Sequence, residues 1–189
     1  MIMEGVYIFL ADGFEDMEAI DTRDVLLRGG VDVQTVSLTE DPFVTSSHGL
    51  TVSVDLTRDS FDNDAPAVMI FPGGMPGTKR LAADDDLIAL MRKCYAAGGT
   101  LAAICAAPGY VLSQLDEKDL AGRRFTCFEG CQDPMIAKGA VYSTSGVVVD
   151  DRLITGRGAG YGVLFGLAIL RAIKGDETAD RVKAGLMLQ

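Results

Sequence analysis

Apolar positions along the chain fall into short continuous runs that alternate with longer stretches of helical spacing. Residues 6–11 form an apolar run of strand length. A helical pattern covers 15–28 and closes at Gly29-Gly30, residues suited to a helix C-terminus. Residues 31–38 alternate as a strand, and 43–56 read as two short strands around Ser46-Ser47-His48-Gly49, a hairpin signal. Residues 68–71 predict another buried strand. Asp84-Asp85-Asp86 then places acid at the start of a helix that runs to 97, where it complements the helix dipole. A strand at 100–104 and a helix over 107–115 follow. Beyond 120 the pattern weakens. It still predicts a short strand at 124–127, a hairpin of 147–150 and 153–155 around Asp150-Asp151, and a strongly apolar helix over 160–174. A last helix over 176–184 is expected to be capped by Asp176.

Strands of near-continuous apolar content, separated by helices, predict an α/β fold whose mostly parallel sheet is covered on both faces. No repeat, low-complexity tract or linker interrupts the pattern. A chain of 189 residues fits one domain and can bury a core without a disulfide or metal staple.

Composition narrows the function classes. Hydrophobic residues make up 48% and charged residues 23%, ordinary globular usage that argues against disorder. The net charge of −10 disfavours a nucleic-acid partner, because an acidic surface repels phosphate. No apolar run reaches transmembrane length, so no membrane partner is expected. The opening Met1-Ile2-Met3-Glu4 has neither the basic start nor the small-residue cleavage site of a signal peptide, which points to the cytoplasm, where thiols stay reduced. Cys94, Cys105, Cys127 and Cys131 are therefore read as thiols. With His48 as the only histidine, no zinc spacing is completed and no metal is expected.

The candidate chemistry gathers at strand ends. The first strand ends in Ala11-Asp12-Gly13-Phe14-Glu15, and the 68–71 strand in Pro72-Gly73-Gly74-Met75-Pro76-Gly77. The 100–104 strand ends in Cys105-Ala106-Ala107, and the 153–155 strand in Gly156-Arg157-Gly158-Ala159-Gly160. In an open parallel sheet these carboxyl ends form the binding crevice. Cys105 sits between a strand and a helix among small neighbours, the arrangement of a nucleophile elbow. The amides and dipole at the following helix start are expected to lower its pKa. The same amides, with those of Gly73 and Gly74, would hold an oxyanion. Cys105 could equally be a small buried hydrophobe, the common fate of a free cysteine. Cys94 reads as packing, and Cys127 and Cys131 fall in a loop where they could resolve an oxidised Cys105. Glu15 and Glu18 open the first helix, where any helix prefers acid. Glu18 shares a stripe with Phe14 and Val25, so it is expected to be partly buried, with a raised pKa that lets it hold a thiolate and shuttle protons.

The segments Gly13-Phe14-Glu15-Asp16-Met17-Glu18, Phe71-Pro72-Gly73-Gly74, Ala102-Ala103-Ile104-Cys105-Ala106-Ala107-Pro108 and Thr155-Gly156-Arg157-Gly158-Ala159-Gly160 resemble the ThiJ/PfpI superfamily over essentially the whole chain. Within it they are most similar to the branch of the Parkinson-associated protein deglycase. The resemblance implies a flavodoxin-like sandwich, related to class I glutamine amidotransferases, spanning 1–189. It implies Cys105 as the elbow cysteine, prone to oxidation to a sulfinate, and Glu18 as the carboxyl that hydrogen-bonds it. Gly73, Gly74 and Ala106 would supply backbone N–H groups, with Glu15 beside them. It also implies a homodimer, no cofactor, and a small aldehyde as substrate. Protease-like members carry His directly after the cysteine. Here that position is Ala106, which argues against a peptidase. The family often places a histidine where this chain has Phe128, so proton transfer would fall to Glu18, with His48 a solvated loop residue unless it reaches the site. Two functions are thus expected: a cofactor-free glyoxalase or deglycase acting through Cys105, or a redox-sensing stress-response protein or chaperone whose Cys105 becomes a sulfinate.

Overall fold

The computed structural model describes residues 4–188, so the expectations that concern residues 1–3 and the bound at 189 lie outside the described residues. In chain order the strands are β1 Glu4–Leu10, β2 Val33–Ser37, β3 Phe43–Thr45, β4 Thr51–Ser53, β5 Pro66–Phe71, β6 Thr100–Ile104, β7 Arg124–Phe125, β8 Val141–Tyr142, β9 Val147–Asp150 and β10 Leu153–Gly156. The helices are α1 Asp16–Arg28, α2 Gly77–Ala82, α3 Asp85–Ala96, α4 Ala107–Tyr110, α5 Glu117–Leu120, α6 Asp133–Ile136, α7 Gly162–Lys174 and α8 Asp176–Gly185.

Six strands form one sheet in the order β2-β1-β5-β6-β10-β9. Every pairing is parallel except the β9–β10 hairpin at the edge. The near-continuous apolar strands follow from burial on both faces. Val6, Ile8, Leu10, Val68, Ile70, Ala102 and Ile104 point into one core, shared with Val25, Leu26, Phe165, Ile169 and Leu170 of α1 and α7. Their neighbours Tyr7, Phe9, Met69, Phe71, Leu101 and Ala103 point into the other, shared with Leu87, Met91 and Tyr95 of α3. Helices α1 and α7 approach closely because Gly166 faces Thr22 and Val25. A Cβ built there would stand 3.0 Å from Val25 Cβ.

The strand order reverses between β1 and β5: β1 leads outward to β2, and the chain then returns to the other side of β1. Ligand crevices of doubly wound sheets open at such a point. The loops after β1 and β5 therefore meet there, with the end of β6 alongside.

The structure departs from the sequence expectations at several termini. The expected 107–115 helix breaks into α4 and a 3-10 turn at Leu112–Gln114. Asp176 does not cap α8. Gly175, at φ 82°, occupies that position, and the Asp176 carboxylate instead accepts from Arg171 Nε at 2.6 Å. Helix α7 starts at Gly162, after a 3-10 turn at Ala159–Tyr161. Among the described residues, no helix is long and apolar enough to cross a membrane.

Candidate active site

Four main-chain hydrogen bonds stitch the loops at the switch point together. Gly13 N donates to Thr45 O (2.7 Å), Ser47 N to Phe14 O (2.8 Å), Glu15 N to Gly73 O (3.0 Å) and Gly77 N to Gly13 O (3.2 Å). Approach this close needs glycine. A Cβ on Gly74, itself at φ 90°, would collide with Glu15 N and Gly13 O.

Cys105 lies at the end of β6, half-buried, with φ 63°. A non-glycine residue in left-handed backbone is strained by about 1–2 kcal/mol and persists only where its surroundings impose it. Two bonds fix the turn: Cys105 N donates to Gly156 O at 2.9 Å, and Cys105 O accepts from Phe128 N at 2.7 Å. This is the strand–turn geometry of a nucleophile elbow.

Glu18 comes from the first turn of α1 and is 1% exposed. It was expected to be partly buried; it is wholly enclosed, with Gly73 packed against its carboxyl. Its Oε2 accepts from Gly73 N at 2.7 Å, and its carboxyl shares the space beside Gly73 with the Cys105 side chain. Burial pushes the Glu18 carboxyl up from 4.5 to about 7, against the pull of the Gly73 amide and Cys105. Glu18 Oε1 is buried without a hydrogen-bond partner, an arrangement that disfavours the charged carboxylate. Gly73 is hemmed in by both residues. A Cβ there would stand 2.6 Å from Cys105 Cβ and 2.6 Å from Glu18 Oε2.

The amides expected at the site divide their work. The Gly74 and Ala106 amides pull the Cys105 thiol pKa down, whereas the Gly73 N–H is engaged by Glu18. Glu15 is the N-cap of α1, its Oε2 accepting from Glu18 N at 2.8 Å, so it holds the backbone of Glu18. The thiol itself runs against expectation. Burial, followed by the charge of Glu18 and its hydrogen bond, pushes Cys105 up, and the Ala106 and Gly74 amides pull it back only in part. Helix α4 has four residues, so it contributes little dipole to lower the thiol. The two acidic groups compete for one negative charge. When Glu18 holds a proton, its charge no longer opposes the thiolate and its O–H can donate to the sulfur.

The remaining candidates lie outside this centre. Cys94 is buried and its Sγ donates to Pro66 O at 3.2 Å. Cys127 is buried in the core beneath α3 and Cys131 packs at the edge of the same core. Burial pushes the Cys127 thiol up to about 12 and raises Cys131, so neither is a ready nucleophile. His48 sits exposed on the β3–β4 turn, its Nδ1 bonded to Asp16 Oδ2 at 2.6 Å. That pair, invisible in the sequence spacing, lies beside Glu15. Glu15, Asp16 and His48 each bring a potential ligand atom to within 4.8 Å of the others, but a cation there would have to displace the hydrogen bond between His48 and Asp16.

Known proteins resemble the chain in sequence and in fold. A glutathione-independent glyoxalase of Caenorhabditis elegans is 32% identical over 92% of the chain and 90% of its own length. A deglycase of Pyrococcus abyssi is 32% identical over 80% of the chain and 89% of its own length. The chain spans 46% of the length of Protein DJ-1 homolog A from Arabidopsis thaliana, at 30% identity. The crystal structure of a DJ-1 superfamily protein from Salmonella typhimurium superposes with a TM-score of 0.86 at 31% identity, covering 99% of this chain and 100% of the other. The sequence model of the DJ-1/PfpI family matches residues 4–172, and the chain belongs to that family.

Proposed function

We propose that the protein, one domain over 1–189, is a cysteine-dependent, cofactor-free enzyme of glyoxalase or deglycase type. It would act on small 2-oxoaldehydes or their adducts. The observation that carries this reading is the Glu18–Cys105 pair: a buried carboxyl, its pKa pushed up by burial to about 7, set with a cysteine on an elbow around Gly73. The names of the glyoxalase and deglycase relatives support it.

In this reading the Cys105 thiolate adds to the aldehyde carbon, and the resulting hemithioacetal oxyanion is met by the Gly74 and Ala106 N–H groups. Glu18 takes the proton from the former aldehyde carbon and returns it to the neighbouring carbon, through an enediol. The product is a thioester of a 2-hydroxy acid. Water cleaves it, releasing the acid and restoring the thiol, so no external oxidant or reductant enters. A general base works best with a pKa near the working pH, and burial has brought Glu18 there. The protein is also proposed to work as a cytoplasmic homodimer. Exposed Met17, Ile20 and Leu27 on α1, with Leu50 on the neighbouring hairpin, supply an apolar face for a second copy.

A second reading is favoured by Phe128, which stands where the family resemblance implies a histidine. With proton transfer left to Glu18, Cys105 could serve instead as a peroxide-sensing thiol whose sulfinate is held by Glu18. Lactate formation from methylglyoxal without glutathione separates the two. Turnover lost in both Cys105→Ser and Glu18→Gln supports the enzyme. Wild-type turnover no higher than Cys105→Ser rejects it and favours the sensor.

A further inference from the structure

Phe128 is one of the large apolar side chains left exposed, at 54%. Single exposed aromatics are ordinary on protein surfaces. Phe128 differs because its backbone is held on both sides. Its N–H donates to Cys105 O at 2.7 Å, and its carbonyl accepts from Cys131 N at 3.0 Å and from Cys127 Sγ at 3.3 Å. The Phe128 amide is thus tied directly to the residue proposed as nucleophile, while its ring remains in solvent. A Cβ built on Gly158 would lie 3.7 Å from Phe128 Cδ2, so the ring stands over the glycine loop that follows β10.

An exposed aromatic ring is thus carried on a backbone bonded to Cys105 and set against the loop that follows β10. Such a ring suits a flat, apolar substituent. Aromatic pairs gain by offset or edge-to-face contact, and sulfur gains against a ring edge.

We infer that Phe128 is a specificity-determining residue, and that it biases the Cys105 site toward 2-oxoaldehydes carrying an aryl or similarly planar group. This rests on the reaction proposed above and adds its substrate class.

The test compares kcat/KM for phenylglyoxal and methylglyoxal in wild type, Phe128→Ala and Phe128→Leu, each above the Cys105→Ser background. The aryl-to-methyl ratio is expected to fall about three- to tenfold in Phe128→Ala, the rate equivalent of one lost aromatic contact. Phe128→Leu should fall between the two. A readout free of turnover accompanies it: the rates at which N-phenylmaleimide and N-ethylmaleimide label Cys105, mapped by peptide mass and normalised to free cysteine. Their ratio is expected to fall in Phe128→Ala by a similar factor. An unchanged ratio in both assays overturns the inference. A fall in the labelling ratio without turnover of either glyoxal sustains the role of Phe128 and rejects the proposed reaction. Turnover with both ratios unchanged sustains the reaction and rejects the role.

Discussion

Gly73 donates its amide hydrogen to Glu18 Oε2 at 2.7 Å, and a side chain on Gly73 would occupy the space of that same oxygen. One residue thus both charges and shapes the pocket in which Cys105 sits. Gly73→Ala is expected to lose about 1–3 kcal/mol of stability through overpacking and to move Glu18 off the sulfur. Gly49→Ala serves as a comparison: Gly49 has φ 88° but nothing within 4 Å of a Cβ. It should lose stability through backbone strain while the rate of Cys105 alkylation stays at the wild-type value. Equal alkylation rates in wild type and Gly73→Ala would contradict this account.

The left-handed backbone of Cys105 predicts an inversion of the usual alanine–glycine ranking. At ordinary positions alanine is the more stabilising of the two, because it restricts the unfolded chain. At φ 63° glycine escapes a steric cost that alanine bears. Cys105→Gly should therefore exceed Cys105→Ala in stability by about 1 kcal/mol in denaturant titration. The opposite order would mean that the turn relaxes when the thiol is removed.

Glu18 should leave a mark on the pH dependence of stability. Its folded pKa, about 7, lies above the value of 4.5 for a free carboxyl. Between those values the folded state holds a proton that the unfolded state has released, so unfolding free energy falls as pH rises. Below 4.5 this carboxyl costs nothing. Above 7 its full cost is present, with a ceiling of about 3 kcal/mol. Glu18→Gln cannot ionise, so its stability advantage over wild type should grow from pH 4.5 to 7 and then level off. A difference that does not vary with pH would show that Glu18 titrates normally.

The His48 ring predicts a measurable shift at the surface. Its hydrogen bond to Asp16, then the Asp16 charge, raises the imidazole above 6.5. Asp16 moves the other way: burial opposes its ionisation, but hydrogen bonds from Ser46 and His48 outweigh it. The stabilisation from protonated His48 is present below 6.5 and is lost as pH rises through the folded pKa. An NMR titration of His48 should give a midpoint above 6.5 in wild type and one near 6.5 in Asp16→Asn. Identical midpoints would show that the pair does not persist in solution.

Much of this architecture was legible in the residues. Residues 6–11, 68–71 and 100–104 are apolar on both faces, and that pattern has few physical outcomes other than a central parallel strand. The elbow at Cys105 and the burial of Glu18 followed from small neighbours and an apolar stripe. Helix α2 was missed because Pro76 gives no side-chain cap and its six residues span less than two turns. Strand β7 falls within the short strand expected at 124–127, whereas β8, of two residues, carries no periodicity to detect. The engagement of the Gly73 amide by Glu18 joins residues 55 positions apart, and the upward push on Cys105 depends on burial. Neither can be read from local sequence. The link from Phe128 to Cys105 is of the same kind, a main-chain bond that any residue type could make.

The main-chain seam around Gly13, Glu15 and Gly77 also sets how this site can come apart. These amides close onto a turn, a strand-end carbonyl and a loop drawn from three separate stretches of chain. No single segment can swing away without releasing the others. Native-state hydrogen exchange at Gly13, Glu15 and Gly77 should therefore follow the slowest, global opening rather than loop fraying. The environment of Cys105 then inherits the lifetime of the whole fold, and mild heat or denaturant should change its reactivity only when the sheet itself melts.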